Sequence, residues 1–150
     1  MNDRVQVAVC GAHMSELPLN HQLLRLDAKL VRKTATSADY RLYYLSDFHP
    51  ARPGLVRVTQ EGAAIDLEVW EVSLSNYGAL VVAIPAPLGI GRVELADGSW
   101  VQGFLCENYA IEQAQDITLH GGWREFLASA KTAITKASGQ STDTRARCRL

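Results

Sequence analysis

The sequence predicts an α+β fold, and three observations carry that expectation. Residues 5–10 alternate and then run apolar before stopping at Gly11, as a buried first strand does. Strand-like segments outnumber helical ones along the chain. The helical segments are not regularly interleaved with the strands, which argues against a doubly wound parallel sheet.

After that first strand a loop runs to Asn20. Leu23, Leu24 and Asp27 then fall at helical spacing, so residues 20–28 are expected to form a short helix. Residues 29–36 and 40–45 are rich in β-branched and aromatic side chains and read as strands. Residues 46–54 contain Pro50 and Pro53 and read as a loop. Residues 55–59 and 64–72 are expected to pair as a hairpin turning at Glu61 and Gly62. Ser73 to Ser75 offer caps for a helix over 76–84 that Pro85 halts. Residues 91–95 and 100–106 make the clearest hairpin, because Asp97-Gly98 suits its tight turn. Helices are expected over 110–116 and 123–137. The domain is expected to span 1–137, with the polar residues 138–150 as a flexible tail.

Composition narrows the function. The 150 residues are 47% apolar and 21% charged, with a formal charge of -1. That size suits one domain with a real core, and the charge balance points to no nucleic acid. The longest apolar runs, such as residues 78–87, fall short of the ~20 residues that cross a bilayer. The first residues lack the layout of a secretion signal. Cys10, Cys106 and Cys148 are odd in number and widely spaced, which suits reduced thiols. The expected compartment is the cytoplasm, with no membrane partner.

Three places carry candidate chemistry. The loop after the first strand holds Gly11, Ala12, His13 and Met14, where backbone N–H groups can meet an anion and an imidazole titrates near neutrality. The segment 66–72 alternates, placing Asp66, Glu68 and Trp70 on one face. A carboxylate there is either wetted or, if buried, a candidate acid or base whose expected signature is a raised pKa. The stretch 84–91 has two prolines and two glycines; it either walls a pocket with Pro87, Leu88 and Gly89 or simply separates a helix from a strand. The four histidines show no HExxH pattern and no cysteine partners at zinc spacing, and no phosphate loop or GxSxG elbow is present. No metal and no cofactor are expected.

These motifs together resemble one family. Gly11-Ala12-His13-Met14 followed by Pro18-Leu19-Asn20-His21-Gln22-Leu23 is similar to the opening of the allophanate hydrolase C-terminal domain. The segments 53–58, 65–70, 84–91, 93–99, 103–107 and 116–123 continue the resemblance in order, over about residues 5–128. At longer range, residues 10–14 and 67–72 resemble the YGxL loop and the glutamate strand of γ-glutamylcyclotransferases. Cys10 stands where those enzymes have tyrosine, and Leu67 where they have glycine, which argues against cyclotransferase activity itself.

The resemblance implies a γ-glutamylcyclotransferase-like fold, a mixed, partly closed β-barrel with a few flanking helices. It also implies decarboxylation of the N-carboxycarbamate that an amidase leaves behind. His13 and Glu68 would be catalytic, converging on one cavity. Gly11, Ala12, Met14, Asn20, Pro87, Leu88 and Gly89 would contact a small carboxylated substrate. The expected protein partner is a separate amidase, since this chain carries no amidase nucleophile, and self-association as a homodimer stays open. Two other readings remain at this point: a non-catalytic assembly module for an amidase, and a cyclotransferase-like enzyme on another amino-acid amide.

Overall fold

A computed structural model describes residues 3–140, with side chains described to Lys131. Its centre is β1 (Arg4–Val9), whose Val7, Ala8 and Val9 are almost fully buried. One neighbour is β5 (Asp66–Ser73), antiparallel, with Val9 opposite Glu68. The other is β7 (Trp100–Cys106), parallel. With β2 (Lys29–Ala35) and β6 (Leu88–Glu94) outside, the order is β2-β5-β1-β7-β6.

A second sheet contains β4 (Arg52–Arg57), β3 (Tyr40–Leu45) and the two-residue β8 (Gln115–Asp116), in that order. The chain is therefore a mixed α+β domain. The expected barrel does not close: the pairing leaves two sheets. Just past the ends of β2 and β6, Thr36 and Leu95 form an isolated bridge.

Three expected elements are corrected. The hairpin of residues 55–59 with 64–72 does not form. Instead β4 folds back on β3, with Leu42 opposite Leu55 and Tyr44 opposite Pro53, while β5 inserts between β1 and β2. The strand also begins at Arg52, within the expected loop. Proline is accommodated because β4 is the edge of its sheet and needs no outward N–H partner. The third correction is the helix over 110–116, which is replaced by a 3-10 turn at Asn108–Ala110 and by β8. Here pairing with Tyr43 and Tyr44 overrides the helical pattern. The Asp116 carboxylate supports it by binding the N–H of Thr118 and the guanidinium of Arg41.

Helix ends follow from local chemistry. The first helix, α1 (Asn20–Arg25), stops three residues before its expected end. Asp27 adopts φ 56°, and the N–H groups of Asp27 and Ala28 return to the carbonyls of Leu24 and Leu23. That double closure satisfies carbonyls the helix would leave open. The second, α2 (Leu74–Val82), is capped as expected by Ser73, whose hydroxyl accepts from Asn76 N–H at 3.2 Å. At the hairpin joining β6 and β7, Gly98 takes φ 87°, a conformation that favours glycine.

The last helix, α3 (Trp123–Gln140), runs past the expected boundary at 137. It docks through Trp123 and Phe126, whose rings lie 5.5 Å apart and pack against Tyr44. The remainder of the expected tail, residues 141–150 with Cys148, lies outside the described residues. Cys10 is buried, and burial pushes its thiol pKa up to about 12, so it is an inert core group. No helix among the described residues is long and apolar enough to cross a membrane.

Candidate functional site

The loop between β1 and α1 is tightly built. Met14 N–H bonds Gly11 O at 3.0 Å, and Leu19 N–H bonds Ala12 O at 2.8 Å. The Asn20 side chain, itself buried, donates to His13 O at 2.8 Å. Gly11 is required by close approach, because a Cβ there would sit 2.4 Å from Pro53 Cδ. That contact seats the loop against the start of β4 and brings Arg52 beside it. Of the amides expected to meet an anion, that of Met14 is already engaged, as is that of the neighbouring Ser15.

His13 is 6% exposed. Its Nε2 lies 2.8 Å from Gln22 Oε1, and its ring is 5.2 Å from that of Phe104. With the amide oxygen accepting, Nε2 carries the proton and Nδ1 is the free basic nitrogen. Burial lowers the imidazole pKa below its ordinary value. The bond to Gln22 opposes this, and Arg52 and His21 lower it further. His13 is thus neutral at pH 7 when no ligand is bound.

The imidazole borders a cavity of about 250 Å³ between α1, α2 and the residues after α2. Gln22 and Arg25 reach it from one face of α1, Arg52 from β4, and Leu80 and Pro85 from the α2 side. No acidic side chain among the described residues lines it. Leu88 lines a smaller adjoining space with His13, Gly11, Ala12 and Arg52. Pro87 instead faces a separate cleft beside Tyr44 and Phe48, and Gly89, within β6 opposite Leu105, lines neither space beside His13.

Glu68 is not in this cavity. It borders another, of about 540 Å³, with Met14, Lys33, Asp66 and Trp123. The side chain is buried and saturated with donors. Ser15 N–H reaches Oε1 at 2.8 Å and Trp70 Nε1 reaches it at 3.0 Å. Ser15 Oγ donates to Oε2 at 2.8 Å and Arg124 Nη2 at 3.0 Å. Burial alone would raise its pKa, but the bonds from Ser15, Trp70 and Arg124 together hold it below the ordinary carboxylate value. The expected raised pKa is therefore corrected: Glu68 is an ionised anchor joining the His13 loop to β5 and α3. The shared cavity for His13 and Glu68 is corrected as well.

Sequence reasoning missed Gln22, Arg25, Arg52, Ser15 and Arg124. The i, i+3 spacing of Gln22 and Arg25 on a helix was a usable signal for two of them. Arg52 was hidden because its strand read as a loop.

The fold that carries this site is a mixed α+β fold similar to that of γ-glutamylcyclotransferase-like proteins. A solved γ-glutamyl cyclotransferase shares it at TM-score 0.51 and 12% identity, over 75% of this chain and 69% of that one. The chain belongs to the allophanate hydrolase C-terminal domain family, whose profile matches residues 5–128.

It is 43% identical to a urea amidolyase of Lachancea kluyveri over 89% of its own length and 8% of that protein. The Kluyveromyces lactis allophanate hydrolase structure superposes at TM-score 0.81 with 39% identity, over 87% of this chain and 22% of that one. A uropathogenic E. coli-specific protein superposes at TM-score 0.78 with 38% identity, over 85% of this chain and 98% of that one. This chain thus spans a small part of the urea amidolyase it resembles, and nearly all of the E. coli protein.

Proposed function

We propose that this domain removes carbon dioxide from an N-carboxylated urea derivative, the N-carboxycarbamate that an amidase releases, within urea-type nitrogen metabolism. The observation that carries this reading is the buried His13, which borders a cavity with arginines and no carboxylates. Family membership supports the substrate class. In the step, the C–N bond to one carboxylate breaks and its electron pair passes to nitrogen. That nitrogen takes a proton from protonated His13, and carbon dioxide leaves neutral. Glu68 acts through Ser15 by holding the loop, and touches no reacting atom.

The test supplies the intermediate from a separate amidase and measures carbon dioxide release above an amidase-only control. The carbamate loses carbon dioxide readily by itself, so that control sets the baseline. Wild type should accelerate release and His13→Gln should match the control. Equal rates for wild type and control would remove the catalytic reading.

A second reading, an assembly module for an amidase, draws on Leu24, Leu74 and Val82, which are 58%, 57% and 87% exposed on α1 and α2. It gains if release is unaccelerated and the amidase co-sediments with this chain.

A further inference from the structure

Among the described residues, Arg52 is held in place without a countercharge. It opens β4 beside Pro53, which Gly11 abuts, and its Cζ lies 4.8 Å above the centre of the Phe48 ring. Its Nε is buried and has no hydrogen-bond partner among the described residues. No ion pair involves Arg52 or Arg25 among those residues. Both nevertheless border the His13 cavity, Arg52 from its β4 wall and Arg25 from α1. A buried guanidinium N–H with no acceptor carries an uncompensated desolvation cost in a folded protein. The Arg52 guanidinium therefore keeps unused donor capacity beside the cavity.

We propose that Arg52 is the carboxylate-binding residue of this site, its planar fork taking one carboxylate of a small dianion beside His13 while Arg25 takes the second at the rim. This rests on the function proposed above and specifies what selects its substrate.

Two carboxylates joined through one atom suit a 250 Å³ cavity that sets two guanidinium groups on neighbouring walls. A planar guanidinium grips a carboxylate through two parallel N–H bonds, which a lysine cannot reproduce. A neutral amide offers one carbonyl acceptor and no charge in place of the two charge-assisted bonds of a carboxylate, and so binds more weakly. The same pairing arms the imidazole. The charged and titratable groups facing His13 are Arg25 and His21 from α1, Arg52 from β4 and the thiol of Cys10, which burial keeps neutral; Gln22, Phe104 and the α2 residues are uncharged. Neutralising Arg52 removes a repulsion that disfavours protonated His13, so ligand binding draws a proton onto Nδ1.

The probe is malonate, in which a methylene replaces the nitrogen between the two carboxylates. Calorimetric titration of the full chain should show malonate binding, with acetate weaker and malonamide undetected. Arg52→Lys should bind malonate about tenfold more weakly and Arg52→Gln about a hundredfold, as expected for loss of a bidentate charged pair. In wild type, the His13 ring resonances should titrate at higher pH with malonate than without it.

Absence of malonate binding, or malonamide binding as tightly as malonate, would overturn the clamp without any variant. Arg52→Gln binding like wild type would overturn the assignment of Arg52. If malonate binds as expected but carbon dioxide release is not accelerated, the clamp stands and the proposed activity falls. If release is accelerated but malonate does not bind, the activity stands and the clamp falls.

Discussion

Arg124 Nη2 lies 3.0 Å from Glu68 Oε2 and 2.7 Å from Ser15 O, so one guanidinium ties α3 both to the central strand β5 and to the His13 loop. The carboxylate is nearly inaccessible while the arginine side chain is 40% exposed. The two ends of the pair are therefore unequal. Removing Glu68 strands the Ser15 amide and the Trp70 indole N–H in the interior. Removing Arg124 leaves the carboxylate with three other donors. Glu68→Ala should cost about 3 kcal/mol and Arg124→Ala about 1 kcal/mol, read from urea unfolding midpoints. Equal losses would show that the ion pair, and not the neutral donors, dominates.

Two carboxyls should give opposite pH dependences. Glu68 is held below its ordinary pKa, so its stabilisation is present above the unfolded value of 4.5 and is lost as pH falls through its folded pKa. Asp66 is raised from 3.8 to about 6 by burial and by its neighbour Glu125. A raised carboxyl binds its proton more tightly in the folded state, so this contribution is greatest below pH 3.8 and declines as pH rises through about 6. Asp66→Asn should flatten the decline between those values and be more stable than wild type at neutral pH. An unchanged stability profile for Asp66→Asn would refute the coupling.

The sequence made some of this architecture legible and hid the rest for physical reasons. The first strand, the Ser73 cap and the Asp97-Gly98 hairpin were readable because each depends on residues close in the chain. The insertion of β5 between β1 and β2 depends on partners more than 30 residues away, such as Thr34 opposite Leu67, and no local pattern encodes it. His13 stood out because Gly11 follows a buried strand and a histidine comes two residues later. Glu68 also stood out, but alternation alone could not distinguish an acid awaiting a proton from a carboxylate already holding four donors. Arg52 needed the pairing of β3 with β4 before it could be placed.

Two glycines expected to touch substrate should separate on mutation. A Cβ on Gly11 would meet Pro53 Cδ at 2.4 Å, so Gly11→Ala must shift either the His13 loop or the start of β4. It should destabilise by about 1–3 kcal/mol, as overpacking does. Nothing lies within 4 Å of a Cβ on Gly89, and Gly89→Ala should stay within about 0.5 kcal/mol of wild type. Thermal denaturation of both variants tests this, and a larger loss at Gly89 than at Gly11 would contradict the packing described.

His13 and Glu68, which the sequence placed together, should differ in how each affects the pH dependence of the rate. His13 is buried against Phe104 and bonded to Gln22, so truncation to alanine would disturb packing as well as chemistry. Glutamine keeps volume and polarity without an ionisable ring, which makes His13→Gln the cleaner probe. Glu68 is ionised throughout the neutral range, so it should contribute no titration to the rate there. Acceleration of carbon dioxide release should fall as pH rises through the pKa of ligand-bound His13, because proton delivery to nitrogen needs the protonated ring. Glu68→Gln retains an acceptor for Ser15 N–H but loses the charge facing Arg124, which loosens the loop. Its rate should drop by about tenfold with the pH midpoint unmoved, the signature of a positioning residue whose loss misplaces the reacting groups. His13→Gln should remove both the acceleration and the midpoint. If Glu68→Gln abolished the midpoint while His13→Gln preserved it, Glu68 would be the proton source and the assignment of roles would have to be exchanged.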